Sequence, residues 1–395
     1  MNRYKWLGVV LILMLSPLSM QGCSFSVQTF PTPNSSEVLS TSAAPIQTAV
    51  QPSSSPTFTA TRPAEVFPSA TPTLISIGVD TISMLRIFES FQLRDIVRSL
   101  AFTPNGSVLA ATGGNTDDFA IHLLDIVNGQ PLSDLNGHTG IVWNLAFSPN
   151  GQMLATVSSD RTAKIWDWRS GTLLQSLDFP GEVVSVSFSP DGQSLAVGGV
   201  DQPQNQIRYA AIWTFSIDTW EPLSKVTEYL NITAMAYSPD GRWLVGGGTS
   251  RNVQVWKPSG GSALRTLNHA HQVFRAAISP DSSTVATATC TTTVNDRCTE
   301  GGVWVWDLRT ARLLKKLAGF PDVVENLAYS ADGSSLAATS RDGTLRFYAT
   351  PDYHTLFEFP SPGGISAMAL SPNGGLLATG GVSGEVRVWK VIYQP

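Results

Sequence analysis

The chain has 395 residues, 42% of them hydrophobic and 14% charged, with a formal net charge of −5. That length can bury a large core, and 33 Gly with 25 Pro favour a turn-rich β protein. Mild acidity and the lack of a basic run argue against nucleic acid as the main partner.

The first predicted element is a targeting segment. Arg3 and Lys5 flank the start of an apolar run of ten, Trp6 to Leu15. A bilayer helix needs about 20 such residues, so the pattern is that of a signal peptide over residues 1–22. It ends at Leu18-Ser19-Met20-Gln21-Gly22-Cys23, which resembles a bacterial lipobox. The resemblance implies lipid on Cys23 and a protein held at the outer side of the cytoplasmic membrane. Ordinary cleavage and secretion is the alternative. Residues 24–81 turn to Ser, Thr, Pro and Ala, with Glu37, Arg62 and Glu65 the only charges between Cys23 and Asp80. Such a stretch cannot bury enough apolar surface to order itself, and reads as a disordered linker.

The folded part, residues 82–395, is patterned on His138 to Trp168. Apolar and polar residues alternate in Ile141 to Phe147, Met153 to Val157 and Ala163 to Trp166, the period-two signal of half-buried strands. Ser148-Pro149-Asn150-Gly151 and Ser159-Asp160-Arg161 supply the turns between them. A fourth strand follows at Leu173 to Leu177. The anchor Phe-Ser-Pro-Asn-Gly returns in variants ending the first strands at Phe102, Phe147, Phe188, Tyr237, Ile278, Tyr329 and Leu370, seven in all. Each copy has a second strand of the type Leu154-Ala-Thr-Val. Each third strand ends at Leu124, Trp166, Trp213, Trp256, Trp306, Tyr348 or Trp389.

These anchors, with Ile165-Trp166-Asp167 and the Gly137-His138 pair, resemble the WD40 repeat family over about Ser83 to Pro395. The resemblance implies an all-β, seven-bladed propeller of four-stranded blades. The last repeat stops after its third strand, whereas Ile82 to Glu89 is an orphan that reads like a fourth strand. The N-terminal strand is therefore expected to complete the last blade and remove an open edge.

Within the resemblance, His138, Thr156, Asp160 and Trp166 match the family's hydrogen-bonded tetrad. An indole N–H is donor-only, a Thr hydroxyl can accept it and donate onward, and an Asp can fix the other imidazole nitrogen. The same residues could be a nucleophile relay, but bracing is the favoured reading, as no nucleophile elbow or oxyanion motif accompanies them. His269, Thr287 and Trp306 repeat the set without the Asp. Five dispersed histidines, among them His122, His271 and His354, give no metal-ligand spacing, and no phosphate-binding glycine loop precedes a helix. No metal, cofactor or catalytic residue is assigned.

The copies differ where function is expected. From anchor to third-strand aromatic the spacing is 22, 19, 25, 19, 28, 19 and 19 residues. The additions in blades 1, 3 and 5 predict long loops at Gly114 to Phe119, Val200 to Tyr209 and Cys290 to Gly302, rising on one face. Asp117, Asp118, Asp201, Gln204, Arg208, Tyr209, Asn295, Arg297 and Glu300 are the candidate partner-binding residues there. Cys290 and Cys298 are expected to pair in an oxidising compartment, with zinc the weaker alternative. The expected function is non-catalytic binding of protein or peptide by a monomeric propeller displayed at the cell envelope. The alternatives are a carbohydrate binder using Trp143, Tyr209, Trp220 and Trp243, and a hydrolase on the propeller's top face.

Overall fold

The computed structural model describes Ile77 and residues 85–391, apart from 115–117, 202–208, 230–231, 249–250, 295–296, 351 and 362. The signal peptide, Cys23 and the linker lie outside the described residues. No helix occurs among those described. The strands form seven antiparallel sheets of four strands each. Each consecutive repeat makes one blade, and the innermost strands touch their neighbours all the way round, the last against the first. The fold is a seven-bladed β-propeller.

The patterned stretch shows why each blade forms. Val142–Phe147, Met153–Ser158, Thr162–Asp167 and Thr172–Asp178 are its four strands, within a residue or two of the sequence reading. In the first turn the Ser148 hydroxyl donates to Asn150 Oδ1 at 2.7 Å, and the Gly151 amide donates to the Ser148 carbonyl. Gly151 sits at φ 66°, a left-handed conformation that glycine enters without a Cβ clash. The second strand is buried on both faces because it lies inside the sheet and between two other blades.

Ring closure follows the expectation. Leu85–Gln92 pairs antiparallel with Glu385–Val391 and is the outer strand of blade 7, with one register shift between Ile87 and Glu89. Ile77 adds a second tie. Its amide donates to the Gly374 carbonyl at 2.6 Å, and its side chain is buried with Phe347, Leu377 and Trp389 between blades 6 and 7.

There is no single central core. Seven apolar clusters each fill the seam between two adjacent blades, as with Leu154 and Trp166 against Ile121 and Leu123 at the blade 1–2 seam. Each blade is thus held by its neighbours, and closure gives the first and last blades neighbours too.

Two loop expectations are corrected. Cys290 to Gly302 is not a loop. Thr284–Val294 and Arg297–Asp307 run on as an eleven-residue-per-strand ribbon, because the added run Thr289 to Val294 is dominated by β-branched residues that favour strand. Blade 3 likewise extends its second strand to Asp201 and begins its third at Tyr209.

Candidate functional site

The site begins with a sequence rule inside the innermost strands. Five residues before each anchor aromatic stands Val97, Val142, Val183, Ile232, Val273, Val324 or Ile365, always β-branched and always buried. The next residue differs in every blade: Arg98, Trp143, Val184, Thr233, Phe274, Glu325 and Ser366. In blades 2 to 6 this residue is the one skipped by a register shift, for example between Val142 and Asn144 and between Val324 and Asn326. A bulge re-aims one side chain without disturbing the ladder on either side. In blades 1 and 7 the same residue immediately precedes the strand.

All seven variable residues line one cavity at the centre of the ring, of about 630 Å³. That is within the usual size of a ligand site, roughly 300–1,000 Å³. Its rim also takes Glu182, Val200, Arg341 and Val382, which places its mouth on the face where second strands end and innermost strands begin. The ribbons of blades 3 and 5 and the loop bearing His138 belong to that face.

The cavity is apolar with a few strong charges. Arg98 lies over the Trp143 ring at 5.1 Å. Arg275 donates from Nη1 to the carbonyl of Thr233 at 3.1 Å and to that of Phe274 at 3.4 Å. Arg341 grips Glu325 Oε1 through Nε at 2.9 Å and Nη2 at 2.6 Å. Desolvation lowers the pKa of Arg98 and of Arg275; Asp95 and Glu325 oppose this at Arg98, and Glu325 alone at Arg275. The Trp143 indole N–H is buried with no acceptor among the described residues. The Ser366 hydroxyl is spent on the Val97 carbonyl at 2.7 Å. The ionisable groups among the described lining residues are three arginines, Arg98, Arg275 and Arg341, and two glutamates, Glu182 and Glu325.

Away from the cavity, the four predicted tetrad residues are brought together. Trp166 Nε1 donates to Thr156 Oγ1 at 2.9 Å, Thr156 Oγ1 meets His138 Nε2 at 2.8 Å, and His138 Nδ1 meets Asp160 Oδ2 at 2.7 Å. Asp160 also accepts the Thr139 amide and the Thr162 hydroxyl. Burial raises its pKa, but the bonds from His138, Thr139 and Thr162 win and hold it well below the usual carboxylate range. In blade 5, His269 meets Thr287 at 2.8 Å and Trp306 donates to Thr287 at 3.2 Å. There the Leu267 carbonyl takes the place of the Asp, and Trp304 stacks on the imidazole. Burial pulls His269 down to about 4, aided by Lys316 and opposed by the Leu267 carbonyl.

The loop candidates turn back on their own blades. Asp201 pairs with Lys225 at 2.7 Å. Asp118 faces His122 at 3.3 Å, and Glu300 accepts the Thr292 hydroxyl at 2.9 Å. Tyr209 opens the third strand of blade 3 and is half-buried. Asp117, Gln204 and Arg208 lie outside the described residues, as do Asn295 and the side chain of Arg297. His122 is half-buried, with Asp118 at 3.3 Å and Asp134 at 3.0 Å from its ring nitrogens. Cys290 and Cys298 form a disulfide with Cα atoms 5.7 Å apart. The aromatics proposed as a sugar platform do not converge. Trp220 packs at the blade 2–3 seam and Trp243 at the blade 4–5 seam, and only Trp143 reaches the cavity.

A closed ring of seven blades, with an indole–Thr–His–Asp chain in the most regular of them, defines a propeller of WD40 repeats. The family model for the WD domain, G-beta repeat, matches residues 129–167, 171–202, 220–257, 311–348 and 354–390. The chain is 25% identical over 280 residues to eukaryotic translation initiation factor 3 subunit I of Drosophila melanogaster, covering 66% of this chain and 84% of that one. It is 33% identical over 175 residues to the periodic tryptophan protein 2 homolog of Schizosaccharomyces pombe, covering 40% of this chain and 20% of that protein. Both relatives are eukaryotic. That finding overturns the expected placement at a bacterial cell envelope, which had rested on a short leader and one Gly-Cys pair.

Proposed function

We propose that the protein is a non-catalytic scaffold that holds a protein partner on the face where the central cavity opens. The observation that carries this reading is the residue after the constant Val or Ile of each innermost strand, bulged in blades 2 to 6. One residue per blade is turned into a common cavity, and that residue varies completely beside a neighbour that never departs from Val or Ile. Packing explains the constant residue; it does not call for variation in the next one. Recognition does, because a rigid ring then presents seven independently chosen side chains. The relatives support the same reading: one is by name a subunit of a translation initiation factor, hence a member of an assembly. The tetrad and its partial copy serve as braces inside blades, and the ribbons of blades 3 and 5 flank the cavity mouth.

A photo-crosslinking amino acid at Val382, which is exposed at the cavity rim, tests this against one at Gln152 in an opposite-face turn. Adducts to a discrete protein are expected from position 382 and not from 152. Equal adducts from both, or adducts from 152 alone, contradict the assigned face.

A further inference from the structure

Within this face, and resting on the reading of it as a partner site, we propose that the central cavity accepts an acidic side chain of an extended peptide, a carboxylate or phosphate flanked by apolar residues. Arg98, Arg275 and Arg341 line the cavity with Glu182 and Glu325, and Asp95 and Glu325 act electrostatically on Arg98. Of the two lining carboxylates, Glu325 is taken up by Arg341, and Glu182 is exposed at the rim.

Arg275 has no carboxylate within ion-pair distance among the described residues, and its bonds go to two backbone carbonyls. Those bonds fix the guanidinium in place, and Glu325 attracts it only from beyond ion-pair distance. A charge removed from water this way is costly unless a counter-charge joins it. Fixed guanidinium donors suit the oxygens of a carboxylate or phosphate, and such charge-assisted bonds are the strong ones. Phe274 and Val382 offer apolar contact to the residues on either side of the acid.

The test uses the full chain immobilised and washed with pools of short peptides. Each pool has one fixed central residue and degenerate apolar flanks. Aspartate, glutamate and phosphoserine pools should be retained about tenfold more than asparagine or lysine pools, with the margin shrinking as salt is raised. The aspartate and phosphoserine arms decide between carboxylate and phosphate. Arg275→Gln should erase the margin. Glu325→Gln, which removes a cavity carboxylate, should enlarge it, an opposite effect that misfolding would not produce. Equal retention of acid and amide pools, or a margin unaltered in both variants, overturns the inference. If position 382 still crosslinks a partner while acid and amide pools behave alike, the face stands and only the acidic ligand is refuted.

Discussion

Blades 2 and 5 carry the same indole–Thr–His chain and close it differently. In blade 2 the imidazole ends on an ionised Asp160 that is nearly buried. In blade 5 it ends on the Leu267 carbonyl and lies flat against Trp304, with ring centroids 4.9 Å apart. The first arrangement adds a charge-assisted bond but commits the blade to a buried carboxylate that needs its partner. The second holds a neutral imidazole by packing. One geometric task is thus solved once by charge and once by dispersion and desolvation.

The largest expected difference comes from removing each histidine. His138→Ala takes the imidazole from the nearly buried Asp160 carboxylate, leaving it the Thr139 and Thr162 donors, and should cost about 3 kcal/mol or somewhat more. His269→Ala strands only a Thr hydroxyl and a carbonyl, and should cost about 1–3 kcal/mol. Urea unfolding of the two variants measures this; equal losses would break the comparison.

Acid separates them next. His269 binds its proton near 4 in the folded protein and near 6.5 when unfolded. The unfolded chain therefore takes up the proton first as the pH falls. Blade 5's contribution is complete above about pH 6.5 and declines toward pH 4, by about 3 kcal/mol in total. Asp160 is depressed instead, so its contribution persists above the ordinary carboxylate pKa and fades only below it. His269→Gln should flatten the stability profile between pH 6.5 and 4, whereas Asp160→Asn should leave that window unchanged.

The disulfide sharpens the contrast further. Cys290→Ser with Cys298→Ser should loosen the blade 5 ribbon by about 2 kcal/mol, seen as faster amide exchange at Thr291 to Val294 with blade 2 protected as before. The smallest effect belongs to Lys316, which lies over Trp304 at 4.0 Å and lowers the His269 pKa. Lys316→Met should raise the His269 titration midpoint slightly by NMR.

Much of this was legible from residues alone. The seven anchors and the orphan strand that closes blade 7 follow from spacing, since turns and strand period are local properties, whereas the His138, Thr156, Asp160, Trp166 set came from the resemblance to the WD40 repeat. The ribbon at Thr289 to Val294 was misjudged as a loop because extra length was weighed above its β-branched composition. The cavity was missed for another reason. The length differences lie beyond the second strands, whereas Arg98, Trp143, Phe274 and Glu325 sit at one constant offset before the anchor in long and short repeats alike. In blades 2 to 6 a bulge, a backbone feature with no sequence mark of its own, turns this residue inward, and in blades 1 and 7 it stands just before the strand. The contrast of a fixed Val or Ile beside an unrestricted residue was the available signal. Kinship, not physics, corrected the envelope placement, because a charged start and a short apolar run carry little specificity.

Bracing and recognition come apart most directly when Asp160→Asn and Arg275→Gln are each assayed for unfolding midpoint and for partner crosslinking from position 382 at a temperature where both are folded. Asp160→Asn should lower the midpoint and leave the crosslinking yield unchanged, and Arg275→Gln should do the reverse. Loss of crosslinking in folded Asp160→Asn with full yield in Arg275→Gln would place recognition on the brace and contradict the channel as the working site.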